Sequence, residues 1–269
     1  MNLNIHIPVT SHVSEYITGI WELQGISNAQ ETILPKGIVE MVFNLGDPMD
    51  GSIAGSNQFN APLCFIQGLN TGKVEVKYYG SHHLFGMHVK QEMLKKLLGI
   101  LPSELRNILI DLTLIKPVFG SLWHQLKEAN DFNKRVKIIE EQFPVLPPDG
   151  CMRTQKLCTL FNNGSLNDFT SLDKLSKEVY YSTRHLNRKS KELFGISAEE
   201  LITYKKFLHS VNLLHGSDSP LTALAYESGF YDQAHFCRVF KTYTGLTPKQ
   251  YRNIKSENPF HLYSTAELI

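Results

Sequence analysis

Cysteine is scarce in this chain. Four residues, Cys64, Cys151, Cys158 and Cys237, are scattered through 269 positions with no C-x-x-C pair. That excludes a disulfide framework and a cysteine-built zinc site. Long apolar runs are missing too. The best, Ile108 to Ile115, is interrupted by Asp111 and is far too short to cross a bilayer. The first Lys or Arg is Lys36, so the opening residues lack the basic region of a secretory signal. Together these absences lead us to expect the reducing cytoplasm. Nor is there an overall excess of either charge: 27 Lys and Arg face 26 Asp and Glu, a net of +1. A protein that is basic throughout is thereby excluded. Hydrophobic residues make up 42% and charged residues 20%, enough apolar material for a core.

The balance hides a split. Up to Gly150 there are 12 basic and 15 acidic residues; from Cys151 to Lys255 there are 15 and 9. Such asymmetry suggests that one half meets a polyanion. The breaker cluster Leu146-Pro147-Pro148-Asp149-Gly150 marks the expected boundary. We therefore expect a β-rich sensor or dimerisation domain with a helical end over 1–146, a linker and first helix over 147–165, a DNA-binding domain over 166–255 and a tail over 256–269.

Before the boundary, Val39, Met41, Phe43 and Leu45 alternate with Ile38, Glu40, Val42 and Asn44, the period-two signature of a strand. Lys73–Tyr79 and His83–Lys90 form two further β-rich runs around Gly80-Ser81. Short strands with turn signals suggest a small barrel or sandwich. Helical periodicity follows at Leu94, Leu97 and Leu98 and at Phe132, Val136, Ile139 and Phe143, the latter a core stripe or, alternatively, a dimer interface.

After the boundary everything reads as helix, and a unit repeats. Leu172, Leu175, Ser176 and Val179 recur 49 residues later; Ser182, Leu186, Arg188, Lys191, Leu193, Gly195 and Ser197 recur 50 residues later as Asp232, Phe236, Arg238, Lys241, Tyr243, Gly245 and Thr247. Each unit is a short helix, a turn and a second helix that opens on an N-cap residue and stops at glycine. Leu201, Tyr204, Leu208, Val211 and Leu214 form one stripe of a connecting helix. Behind the Ser182 cap and Thr183, the outer face of the first unit's second helix carries Arg184, Arg188 and Lys191; that of the second carries Ala234, Arg238 and Lys241, with Gln233 and His235 toward the helix start. Arg can pair with guanine O6 and N7, and Asn or Gln with adenine N6 and N7. Lys191 and Lys241, further along, suit phosphates. Charged outer faces are common on surface helices; duplication of caps, glycines and the Arg/Lys face argues for helix–turn–helix DNA recognition instead.

The stretch Gly229 to Lys241, Gly229-Phe230-Tyr231-Asp232-Gln233-Ala234-His235-Phe236-Cys237-Arg238-Val239-Phe240-Lys241, with Gly245-Leu246-Thr247-Pro248 and Tyr251-Arg252, resembles the signature of AraC/XylS-type transcription regulators. Ser182 to Arg188 resembles the start of that family's first recognition helix. Phe207, Ser176 and Ser190 depart from the pattern, which favours an aliphatic residue, Ala and Phe there. The resemblance implies two helix–turn–helix units on a linker helix, with Arg184, Asn187, Arg188, Gln233, His235 and Arg238 as base readers. It further implies double-stranded DNA, RNA polymerase, a small-molecule effector and a homodimer as partners. Tyr16–Gly25 and Leu34–Asp47 resemble the cupin-like domain found ahead of many such regulators. The fold expected is thus α+β in two domains: a β-rich, barrel-like (cupin-like) domain with helices, then an all-α domain.

Trp21, Glu40, Asn44 and His88 are the candidate effector-pocket residues; for Glu40 and Asn44 the competing reading is a polar strand face toward solvent. His82, His83 and His88 lack the ligand spacing of cupin enzymes, so no metal, cofactor or catalytic residue is expected. A cupin-type metal enzyme with a helical appendage is the rival class, and a protein-interaction module without DNA affinity the third. Cys237 is read as a small packing residue rather than a redox switch.

Overall fold

The computed structural model describes residues 2–26, 29–55, 57–146, 151–162 and 171–264. The expected boundary at 147–150, and the start of the DNA-binding domain at Leu166, lie outside the described residues. The strands are β1 (Asn2–His6), β2 (Ile17–Ile26), β3 (Gln30–Ile33), β4 (Val39–Asn44), β5 (Met49–Ile53), β6 (Asn57–Asn60), β7 (Cys64–Gln67), β8 (Val74–Tyr78), β9 (Ser81–Val89), β10 (Leu109–Asp111) and β11 (His261–Ser264). The helices are α1 (Leu94–Leu98), α2 (Leu112–Ile115), α3 (Val118–Glu128), α4 (Phe132–Gln142), α5 (Met152–Asn162), α6 (Leu172–Glu178), α7 (Thr183–Phe194), α8 (Ala198–Gly216), α9 (Leu221–Glu227), α10 (Gln233–Thr244) and α11 (Pro248–Ile254).

The β-rich half is two sheets rather than a closed barrel. A six-stranded sheet runs β1-β2-β9-β4-β7-β10 and a five-stranded sheet runs β11-β3-β8-β5-β6. Gly80, at φ +86°, turns the chain between β8 and β9, which belong to different sheets. The alternation in β4 explains the layering. Val39, Met41 and Phe43 pack under α1, α3 and α4 with Leu94, Leu122, Val136 and Ile139. Val42, on the other face, meets Met49, Val74, Val76 and Tyr78 of the second sheet. β4 is therefore buried on both faces, and no face of it is left for solvent. The α4 stripe is core: Val136, Ile139 and Phe143 all join the helical layer's cluster. That layer also holds a buried ion pair, Arg135 to Glu22 at 2.6 Å.

In the helical half the repeat takes the expected form. Ser182 Oγ accepts from the His185 amide at 3.3 Å, and Asp232 Oδ1 from that of His235 at 2.7 Å. Gly195 and Gly245 both sit at φ +75° and close α7 and α10, a conformation that costs glycine little. Capping boxes repeat as well: Ser197 with Glu200 opens α8, and Thr247 with Gln250 opens α11. The α8 stripe of Leu201, Tyr204, Val211 and Leu214 is fully buried between the two units.

One expectation fails. The chain after α11 does not remain helical: it returns to the first half as β11 and pairs antiparallel with β3, Tyr263 opposite Glu31 and His261 opposite Ile33. Sequence reading missed it because a four-residue edge strand has too little periodicity to announce itself.

Candidate functional sites: two recognition helices and a sandwich cavity

On α7 the side chains of Ser182, Thr183, Arg184, Arg188 and Lys191 are exposed, and on α10 so are Gln233, Ala234, Arg238 and Lys241. His185 and His235 are half-buried at equivalent places, His185 stacked on Tyr181 and His235 edge-on to Phe230. The opposite faces are core: Leu186, Ser190, Leu193 and Phe194 on α7, and Phe236, Phe240 and Thr244 on α10. Each helix thus offers a cationic outer face while hydrophobic burial holds the inner one in place.

Two of the sequence-derived base readers have structural duties. Asn187 Oδ1 accepts the Ala198 amide at 2.8 Å and its Nδ2 donates to Glu199 at 3.4 Å, so this side chain ties the start of α8 to α7. Gln233 Oε1 accepts from Thr222 Oγ1 at 2.6 Å, which clamps α10 to α9. Arg188 also donates to the His185 ring at 3.2 Å.

The second site is a cavity of about 480 Å³ between the two sheets, within the size range of small-molecule sites. The sandwich is bridged near its β6 and β10 edges, where Asn57 Nδ2 donates to the Asn107 carbonyl at 2.9 Å. It gapes along the opposite edges, β1 and β11, where Leu3, Ile5 and Ile7 are exposed at the mouth. Three of the four sequence-derived pocket residues line it: Trp21, Glu40 and His88. Asn44 does not. It is buried, but its amide closes the β4–β5 turn, donating to the Asp47 carbonyl and accepting from the Gly46 amide. The solvent-face alternative also fails, since Glu40 and Asn44 are each only 4% exposed.

Strand register explains the polar row in the cavity. Glu40 stands opposite Gln67 on β7 and His88 on β9, and all three point into the sandwich. Gln67 Nε2 donates to Glu40 at 3.0 Å, the His88 ring lies 3.1 Å away, and Lys36 forms an ion pair at 3.0 Å. Burial alone would raise the Glu40 pKa; Lys36 and His88 outweigh it and hold the carboxyl well below the usual range. A second buried acid, Glu31, accepts from Tyr78 Oη at 2.6 Å and from the His261 ring. Here too burial is overcome, by His261 and Tyr78, and the carboxyl stays ionised. Sequence reasoning missed Glu31, Lys36, Gln67, Tyr78, His261 and Tyr263. Glu31 lies in the polar stretch Gln30-Glu31-Thr32 and carries no local signal of burial, and which strands face one another cannot be read locally. The other histidines lie in separate surroundings, His82 against Tyr78 and His83 on Glu22. Among the described residues no group of three His, Cys, Asp or Glu side chains could hold a metal ion.

The two halves touch closely. β11 serves both: His261 and Tyr263 face the cavity, whereas Leu262, between them, is buried in the core of the helical half with Leu34 and Leu69. The Leu34 amide donates to the Phe260 carbonyl at 2.8 Å, and Tyr204 Oη to that of Asn70 at 2.9 Å. A Cβ on Gly195 would come within 2.9 Å of the Pro102–Ser103 backbone, so the end of α7 rests directly on the first half.

Comparison with known proteins fits this division. Residues 175–254 match a helix-turn-helix domain, and residues 6–111 match a domain of unknown function, DUF6597. The chain is 33% identical over 105 residues to an uncharacterised HTH-type transcriptional regulator of Staphylococcus aureus, covering 37% of this chain and 14% of that protein. It is 32% identical over 81 residues to another from Haemophilus influenzae, covering 30% and 27%. The chain thus spans only about one seventh of the length of the staphylococcal relatives it matches. The crystal structure of ToxT from Vibrio cholerae superposes over 88% of this chain and 99% of its own, at 13% identity and a TM-score of 0.46. No helix among the described residues is long and apolar enough to cross a membrane. The chain carries a helix-turn-helix domain behind a β-rich domain of unknown function.

Proposed function

We propose that this protein is a sequence-specific DNA-binding transcription regulator whose β-rich half senses a small molecule. The observation that carries the reading is the pair of capped, core-anchored helices α7 and α10 with Arg188 and Arg238 exposed at equivalent positions. In this reading Arg184, Arg188, Gln233, His235 and Arg238 reach base edges, Lys191 and Lys241 hold phosphates, and Ser182 and Thr183 sit at the helix start close to the backbone. Asn187 contributes by fixing α8 against α7. The two units dock about 10 base pairs apart on successive major-groove faces. The cytoplasm, RNA polymerase and a second copy of this chain are the setting and partners the family resemblance implies. The sensor spans 1–146 and the DNA-binding domain 166–255, joined by 147–165; of the tail, 256–269, residues 261–264 link the two by pairing with the sensor.

Effector control is supported by β11, since a change at the cavity that moves His261 and Tyr263 also moves Leu262 in the helical core. Coupling then means that the ligand favours one of two arrangements of the halves. Selection of binding sites from random and genomic DNA by the full chain tests the reading. One recurrent site with two contacted segments about a helical turn apart is expected; no enrichment over random sequence overturns it.

A further inference from the structure

The cavity wall carries more negative than positive fixed charge. Its ionisable side chains are Glu31, Glu40, Lys36, His88 and His261, together with the phenols of Tyr78 and Tyr263. Both phenols are pushed further from ionisation by burial and by Glu31. The two acids are not equivalent. Glu40 has Lys36 at 3.0 Å, a permanent cation. Glu31 is 2% exposed; its partners are the phenols of Tyr78 and Tyr263 and the His261 imidazole, and Lys36 acts on it only through space, with no Lys or Arg among its hydrogen bonds. A carboxylate this deeply buried, with no Lys or Arg bonded to it, favours an added cation, because desolvating two opposite charges together costs less than burying either alone. Among the aliphatic side chains of the cavity wall stand six aromatic rings, those of Trp21, Phe59, Phe65, Tyr78, Phe260 and Tyr263. Ring faces attract cations, most strongly when water is excluded. A ligand bearing a carboxylate would instead bring a third negative charge to a site with one fixed positive charge.

We propose that the cavity binds an organic monocation, an amine or quaternary ammonium on an apolar body, with its charged head at Glu31 against β11 and its body along the apolar wall toward β1. This rests on the sensor reading above and gives it a ligand class. It also places the head on the strand that reaches the helical core, because Glu31 is bonded to His261 and paired across from Tyr263.

Decyltrimethylammonium, decan-1-ol and decanoate share one body and differ in charge. Titrated below micelle-forming concentrations into the full chain by calorimetry, the ammonium should bind at least tenfold more tightly than either of the others. It should also change the fluorescence of Trp21, a change lost in Trp21→Phe. In Glu31→Gln, with folding verified by circular dichroism, the advantage over the alcohol should fall below threefold. Equal affinities, a preference for decanoate in the unaltered chain, or an ammonium preference that survives in Glu31→Gln overturns the proposal. Binding to the selected DNA, measured in parallel, separates the two ideas. A chain that binds DNA without preferring the cation refutes only the ligand class, and one that prefers the cation but selects no DNA refutes only the regulator.

Discussion

The two helix–turn–helix units share a frame but fill it differently. Position for position, Ser190 of the first stands where Phe240 stands in the second, and Phe194 where Thr244 stands. In the second unit Phe240 is fully buried among Phe207, Phe236 and Tyr251, with ring centroids 5.6–5.8 Å apart. Thr244, also fully buried, turns its hydroxyl back to the Phe240 carbonyl at 2.8 Å. In the first unit the aromatic has moved one turn along. Phe194 lies tilted against Phe161 of α5 with ring centroids 4.4 Å apart, and Ser190 is buried with no hydrogen-bond partner for its hydroxyl. The second unit is thus a self-contained aromatic cluster on α8. The first leans on its neighbours: on α5, and through Gly195 and the Arg106–Glu200 pair on the β-rich half. One motif can therefore be built as an anchor or as an element that answers to another domain, and the difference lies in where the large side chain sits.

The sharpest way to break this contrast is Phe240→Ala. It should cost about 3–5 kcal/mol, as large aromatic truncations in well-packed cores do, read by chemical denaturation; a loss under about 1 kcal/mol would mean the cluster is not the anchor. Next in size are the paired substitutions Arg188→Ala and Arg238→Ala. Each should cost about 1–3 kcal/mol in DNA affinity and relax preference at a different base position, if both units read bases. An equal loss across all sequences would assign either side chain to the phosphates. Lys241→Ala should instead weaken binding evenly and lower the salt slope by about 0.9. Asn187→Ala should cost about 1 kcal/mol of stability through the lost bond to the Ala198 amide, whereas Cys237→Ala at the equivalent site should leave that junction intact. The smallest effect should come from Ser190→Ala. Removing a buried hydroxyl without a partner should leave stability unchanged or raise it by up to about 1 kcal/mol, seen as an equal or higher melting temperature.

The helical half was legible because its signals are local. Ser182, Asp232, Gly195 and Gly245 set helix ends through bonds and backbone angles within a few residues, so their identities alone place the caps. The outer-face arginines follow from the same periodicity, since a helix that buries Leu186 and Leu193 must expose Arg188. The structural duty of Asn187 was hidden for the opposite reason. Its partner is the first amide of α8, 11 residues away, and a polar side chain on an outer face does not declare whether it serves a neighbouring helix or a ligand. The β-rich half was legible in strand parity: His82 and His88 share one face of β9 and His83 the other, as period two requires. Asn44 shows where parity stops being enough. It lies on the cavity side of β4, yet the following turn, Gly46 and Asp47, consumes both ends of its amide.

The residue pattern by itself determined the repeat, its caps, its charged faces and the alternation of the strands, because each arises from contacts between near neighbours in the chain. Tertiary structure alone decided that two sheets stay open along one edge, that Glu31 and Glu40 meet in one cavity, and that the end of the chain crosses back to wall it. Glu31 and His261 are separated by most of the sequence. Nothing local links them; the burial of Leu262 in the helical core, which brings β11 to β3, is what puts His261 against the carboxylate.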